Sequence, residues 1–304
     1  MIVTDPAEFI AAYSQERYPA RAASTARAAF LVTPASATLA AESATDNRYM
    51  DLAATLDPAR AFAQHAELAR RLGADVPVIS FPGSADCPDG MFPNNVFATA
   101  PERFIVGHMR HAVRQREAAR SDIRSFFGDT LGYRLFDLTH EPGIAELTGS
   151  LVIDRARGIG YCGLSERCDL AGARAMHAAF DLRLMFCFEL AAGEYHTNVV
   201  MTLLAGRLLL AAADGFKDPD VPLAIARAYG ENAIWLSPQQ KKAFSANAIT
   251  LSPRRVWMSA RGAQALDRTQ LLAIGRAGFE LGDVELDEIE KAGGSLRCCV
   301  AEIF

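Results

Sequence analysis

The sequence reads as an α/β chain, on the strength of two observations. Short β-type runs bounded by turn residues recur along its 304 residues, and amphipathic helical patterns fall between them. The β-type runs are Ala29 to Thr33, Val76 to Phe81, Phe104 to His108, Leu151 to Asp154, Leu182 to Phe188, Asn198 to Leu204, Leu208 to Ala212 and Arg255 to Met258. The helical patterns are Pro58 to Leu72, His111 to Phe127, Cys168 to Phe180, Asp220 to Tyr229, Pro238 to Ser245 and Asp267 to Ala277, several opened by the Asp or Pro that favours a helix start. A strand, strand, helix rhythm returns roughly every 50 to 60 residues without a matching sequence repeat. With 50% hydrophobic residues the chain can bury a large core, and no break in composition divides it, so it reads as one domain, 1–304.

Charge narrows the partners. A formal net charge of -5, from 31 basic and 36 acidic residues, leaves no basic surplus for a nucleic-acid backbone or an acidic membrane surface, and points to a small-molecule partner. The first residues carry no basic stretch leading into an apolar run, and the apolar runs elsewhere are too short to span a bilayer, so the expectation is a cytoplasmic chain with reduced thiols. The six cysteines, Cys87, Cys162, Cys168, Cys187, Cys298 and Cys299, lack the paired CxxC spacing of a zinc site, and no metal is expected. Free cysteine is most often a small buried hydrophobe, which is the plain reading of four of them.

The terminal pair has a different setting. Gly293 and Gly294 permit a sharp turn, and Val300, Ile303 and Phe304 read as buried, so Cys298 or Cys299 is expected on a fixed element facing a pocket. A cysteine thiol ordinarily loses its proton only near pH 8.5, about two units too high for a nucleophile at neutral pH, so it needs a nearby base or cation. Among the histidines, His65 and His177 fall in helical patterns and His140 in a turn. His196 sits in the polar cluster Gly193 to Asn198 just before an apolar run, where a general base could serve a site at a strand end. Glu146, just before the run Leu151 to Asp154, is a candidate to orient it. The loop Asp86 to Phe97 concentrates short polar side chains and prolines, and His108 to Glu117 gathers cations at a strand exit, either to clamp a carboxylate or to solvate a helix start.

Taken together and in order, the Asp86 to Phe97 loop, the Met109 to Glu117 block, Glu146 with Thr148-Gly149-Ser150, Leu164 to Arg167, Tyr195 to Asn198 and the Gly293 to Phe304 end resemble the guanidine-modifying superfamily of amidinotransferases, arginine deiminases and dimethylarginine dimethylaminohydrolases, most closely its bacterial citrulline-utilisation hydrolase branch. The resemblance runs from about Phe30 to Phe304. It implies a five-bladed α/β propeller with pseudo-fivefold symmetry, the pentein fold, with the pocket on its axis. It also implies that Cys298 is the nucleophile, His196 the acid/base and Glu146 its partner, with no cofactor. Cys299 is then a packing neighbour.

Departures from the family bear on the substrate. The position two residues after the histidine, an aspartate in arginine deiminases, is Asn198, and the adjacent acids of the dimethylarginine enzymes are Asn94 and Asn95; Asp89 is the one obvious carboxylate left in its loop. Amides suit a neutral ureido group better than a buried cation, which favours citrulline, giving ornithine, ammonia and carbon dioxide. Arg110, Arg114 and Arg167 are the expected ligands of the substrate carboxylate. Dimethylarginine or arginine hydrolysis, amidino transfer to an amine, and plain amino-acid binding are the alternatives. The sequence does not decide between a monomer and a homodimer.

Overall fold

The computed structural model describes residues 1–35 and 38–304. Its strands group into five small mixed sheets that share one pattern: a first strand antiparallel to a second, which runs parallel to a third. The first strands are Phe97–Ala100, Leu151–Asp154, Met201–Leu204, Ile249–Ser252 and Ala301–Ile303. These five "inner" strands are almost wholly buried and pack beside one another: Ala301–Ile303 against Phe97–Ala100, Leu151–Asp154 against Met201–Leu204, and Met201–Leu204 against Ile249–Ser252. Antiparallel pairing of Ala301–Ile303 with Ala28–Val32 joins the end of the chain to its beginning in a single sheet.

Local chemistry accounts for the elements. Helix Pro58–Leu72 starts where Asp57 accepts from the Ala59 and Arg60 N–H groups and Pro58 occupies the first turn, and it buries Ala61, His65, Leu68 and Leu72 along one stripe. The expected helix from His111 to Phe127 is instead two, Ala112–Ala118 and Ser121–Ser125. Arg120 takes an extended ψ of 101° between them, and its guanidinium holds Asp122 and the Pro82 carbonyl. The strand expected from Asn198 begins only at Met201, because Thr197–Val199 forms a 3₁₀ turn. Beyond the region of resemblance, strand Ile2–Val3 adds a fourth strand to the sheet of Leu151–Asp154 by pairing with Leu184–Glu189, and helix Pro6–Glu16, capped by Asp5, follows it.

The two glycines before Cys298 have separate reasons. Gly293 has a φ of +75°, a left-handed conformation that favours glycine, whereas a Cβ on Gly294 would lie 2.8 Å from the Phe92 ring. Val300, Ile303 and Phe304 are buried, as expected of a fixed terminus. Among the described residues no helix is long and apolar enough to cross a membrane.

Candidate active site

Each inner strand is preceded by a short polar segment, and these segments meet at one end of the five strands. Hydrogen bonds tie each segment to the next. Thr148 Oγ1 donates to the Asn94 carbonyl at 3.0 Å, Asn198 Nδ2 to the Thr148 carbonyl at 3.2 Å, and Asn247 Nδ2 to the Asn198 carbonyl at 3.0 Å. The Arg297 N–H then donates to Asn247 Oδ1 at 2.9 Å. Residues some 50 positions apart in sequence are thereby held in one collar, with Cys298 in its last segment.

Cys298 is buried, and two amides surround its sulfur. Asn247 Nδ2 lies 3.3 Å from Sγ, and Asn198 Oδ1 lies at 3.9 Å. Because Asn247 Oδ1 is occupied by the N–H groups of Arg297 and Cys298, its amino group is fixed toward the sulfur, where it favours a thiolate. Burial raises the Cys298 thiol above its ordinary pKa, offset in part by the Ser295 backbone and Asn247, so the resting form is the thiol.

His196 and Glu146 join two earlier segments of the collar. His196 Nε2 lies 2.9 Å from Glu146 Oε2. Burial by itself would raise the Glu146 carboxyl, but the Arg167 charge and the His196 hydrogen bond outweigh it and hold the group far below the usual carboxylate range. An ionised carboxylate only accepts, so Nε2 carries the ring proton and Nδ1, buried and without a partner, holds a bare lone pair. Burial lowers the His196 pKa, keeping the ring neutral. Gly149 packs against this ring: a Cβ there would sit 2.8 Å from Nδ1 and 2.5 Å from Asn95 Oδ1. No hydrogen bond joins the thiol to the imidazole among the described residues, in which the thiol faces Asn247 and Asn198.

The cavity above the sulfur is lined by Asp89, Asn95, Arg114, Arg167, Tyr195 and Cys298, among others. Its volume is about 10 Å³, room for about one water. Residues 41–51 cover it as a strap whose polar groups are tied to the site. Ser43 Oγ donates to Asp89 at 2.5 Å, Asn47 Nδ2 to the Gly293 carbonyl at 3.2 Å, and Tyr49 Oη to Glu194 at 2.6 Å. As it stands the cavity is too small for an amino acid.

The arginines differ from the expectation of a free clamp. Arg167 is buried and binds Asp46 of the strap, with Nη2 at 2.6 Å, and Glu146, with Nη1 at 3.1 Å. Arg114 is buried in a two-pronged pair with Glu117 at 2.8 and 3.0 Å. Arg110 does not line the cavity and pairs with Asp46 and Glu166. Asp89, in contrast, has Oδ1 unpartnered, and burial raises its carboxyl above the ordinary range despite Arg114. Asn94 is buried with both side-chain polar atoms unpartnered, and Asn95 has Oδ1 free. Cys299 is fully buried in an apolar cluster and does not line the cavity. Sequence reasoning did not assign Asn247, Asp46 or Tyr195 to the site; Asn247 stands two residues before strand Ile249–Ser252, much as Asn198 stands three before Met201–Leu204.

Comparisons with known proteins agree with this architecture. A family model described as "N,N dimethylarginine dimethylhydrolase, eukaryotic" matches residues 33–304. The uncharacterized protein YkgA of Bacillus subtilis (strain 168) is 23% identical over 244 residues, 79% of each chain. The structure is similar to the substrate-bound N-terminal domain of ArgZ, an arginine dihydrolase from the ornithine-ammonia cycle in cyanobacteria, with a TM-score of 0.78 and 20% identity over 91% of this chain and 97% of that one. It is also similar to a dimethylarginine dimethylaminohydrolase variant in an adduct with S-methyl-L-thiocitrulline, with a TM-score of 0.71 and 21% identity over 91% of this chain and 99% of that one. The fold is therefore that of the guanidine-modifying hydrolases, and the extent of the family match places this chain within the N,N dimethylarginine dimethylhydrolase family of C–N hydrolases.

Proposed function

We propose that the chain is a cysteine hydrolase of the ureido group of an arginine-related amino acid, with citrulline as substrate and Cys298, His196 and Glu146 as the reacting set. The five sheets are read as blades of one propeller, a single catalytic unit. The observation that carries the substrate choice is the amide surround of the sulfur: Asn198 and Asn247 flank it, and Asn95 lines the cavity with a free oxygen. Neutral amides satisfy a ureido group completely but leave a guanidinium charge uncompensated.

On this reading Cys298 Sγ adds to the ureido carbon as its proton passes to the bare Nδ1 of His196. The imidazolium, stabilised by the ionised Glu146, returns that proton to the departing ammonia. A thiocarbamate on Cys298 remains; water adds to it with His196 again as base, the thiol leaves, and the released carbamate of ornithine loses carbon dioxide. Asn247 stabilises the sulfur whenever it carries charge.

A second reading, arginine as substrate with citrulline formed on the way to ornithine, is favoured by Asp89, a cavity carboxylate with a free oxygen that would pair with a guanidinium. Incubation of the purified protein with citrulline, arginine, methylated arginines and N-acylated relatives, with and without an amine acceptor, separates the readings by mass spectrometry. Ornithine and ammonia from citrulline are expected. Dimethylamine from dimethylarginine with citrulline untouched overturns the substrate choice; an acceptor-dependent amidino product indicates a transferase; and ligand-induced stabilisation without any product indicates a binding protein.

A further inference from the structure

At the end of the inner strands away from Cys298 lies a groove of about 950 Å³, far larger than the cavity over the thiol. Its walls are the residues before strand Ala28–Val32, the turns after Phe97–Ala100 and Leu151–Asp154, the start of Arg134–Asp137 and the approach to Leu184–Glu189. Seven arginines line it, against two acids, Glu102 and Asp181, in a chain whose net charge is -5.

Most of these cations lack a close carboxylate. Among the described residues, the Arg21 and Arg134 guanidiniums make no hydrogen bond or ion pair, and Arg134 rests on the Phe136 ring, 4.9 Å from its centre. Arg27 contacts only the Tyr133 hydroxyl, at 3.3 Å, and Arg183 only backbone carbonyls and the Tyr18 ring. Arg103 also lies over the Phe136 ring, donates to the Ala178 and Ala179 carbonyls and reaches the exposed Asp181 at 3.3 Å. Deeper in, Arg155 is largely buried between the Phe180 and Phe304 rings and lies 3.7 Å from Glu302, which pairs more closely with Arg297, at 3.0 Å. Burial, incompletely offset by Glu302, lowers Arg155 to about 10. Only Arg157 has a short ion pair, to Asp154 at 2.7 Å.

Concentrating like charges in one concavity raises their mutual repulsion, and an anion bound there relieves it. A guanidinium laid on an aromatic face without a hydrogen-bond partner, as Arg134 is on Phe136, keeps its fork free for paired oxygens, a geometry suited to phosphate. The volume is that of a small-molecule site, and with acids beside it and a net negative chain it does not form the extended basic track of a nucleic-acid surface. We infer that this groove is a binding site for a small molecule bearing a polyphosphate chain, separate from the Cys298 cavity.

The experiment is calorimetric titration of the full chain with inorganic tripolyphosphate, ATP, adenosine and a single-stranded RNA oligonucleotide at fixed ionic strength. Saturable one-to-one binding of tripolyphosphate or ATP is expected, with none of adenosine. A tighter fit for ATP identifies a nucleotide as the source; equal binding identifies the phosphate chain alone. Arg134→Ala and Arg27→Ala, at exposed or lightly bonded positions, should each weaken binding roughly tenfold, with unchanged thermal unfolding and unchanged turnover at Cys298; Arg134→Lys should recover part of the loss. No saturable binding at millimolar tripolyphosphate, binding indifferent to both substitutions, or length-dependent binding of RNA in preference to ATP overturns the inference.

Discussion

The residues around the Cys298 cavity fall into two groups, a charged wall and an amide wall, that are built on different principles. On one, every strong charge has a partner: Glu146 with Arg167 and His196, Arg167 with Asp46, Arg114 with Glu117. On the other stand amides and a thiol, with unmatched hydrogen-bonding capacity at Asn94 and Asn95; the charged group leaves only His196 Nδ1 bare, and Asp89, with Oδ1 free, lies next to Arg114. Buried polar groups are rarely left unpaired without a reason. The difference teaches that the charged wall sets geometry and protonation, whereas the amide wall is where a substrate is read.

The largest effect expected from breaking the contrast is at the thiol. Cys298→Ala or Cys298→Ser should abolish turnover, a loss of about 10⁴-fold or more in kcat. Cys299→Ala, one residue along and outside the cavity, should leave kcat within about threefold and lower stability by about 1 kcal/mol. Equal losses from both would mean that the pair acts through packing. Next comes the charged wall: His196→Ala should cost roughly 10² to 10⁴ in kcat. Glu146→Gln should cost less and lower the pH at which activity falls on the acid side, because the carboxylate that favours the protonated imidazole is gone.

On the amide wall, Asn247→Ala removes the donor aimed at the sulfur. We expect kcat to fall about 10- to 100-fold and the midpoint for alkylation of Cys298, already above the ordinary thiol value because of burial, to move higher still. An unchanged midpoint would reduce Asn247 to a strut of the collar. A separate effect, on stability rather than turnover, lies away from the cavity at His65, which burial lowers from 6.5 to about 4. The unfolded state then binds the proton more tightly, so this contribution, about 3 kcal/mol, is complete above pH 6.5 and is lost as the pH falls toward 4. Denaturant melts of wild type and His65→Asn should diverge most clearly above that window.

Much of the site was legible because its parts occupy equivalent places. His196, Glu146 and Cys298 each stand in the polar segment before an apolar inner strand, and that pattern is local in sequence. Asn247 was hidden because its segment reads as the tail of a helix from Pro238, whereas the helix stops at Lys242. The pairing of Arg167 with Asp46 joins residues 121 positions apart through a strap with no periodicity of its own, so nothing in the sequence announced that these arginines are occupied. In the fold, runs such as Phe97–Ala100 and Ala301–Ile303 are too short and too rich in alanine to stand out, and they become strands only because the neighbouring strands complete their ladders.

The claim that the amide wall selects a neutral group is tested most directly by competition. Citrulline and arginine are offered together to wild type and to Asn95→Asp, and the ratio of their kcat/KM values is read by mass spectrometry. We predict that wild type favours citrulline and that a carboxylate in the cavity shifts the ratio toward arginine by roughly tenfold or more. A wild type that favours arginine, with a ratio indifferent to Asn95→Asp, would contradict it.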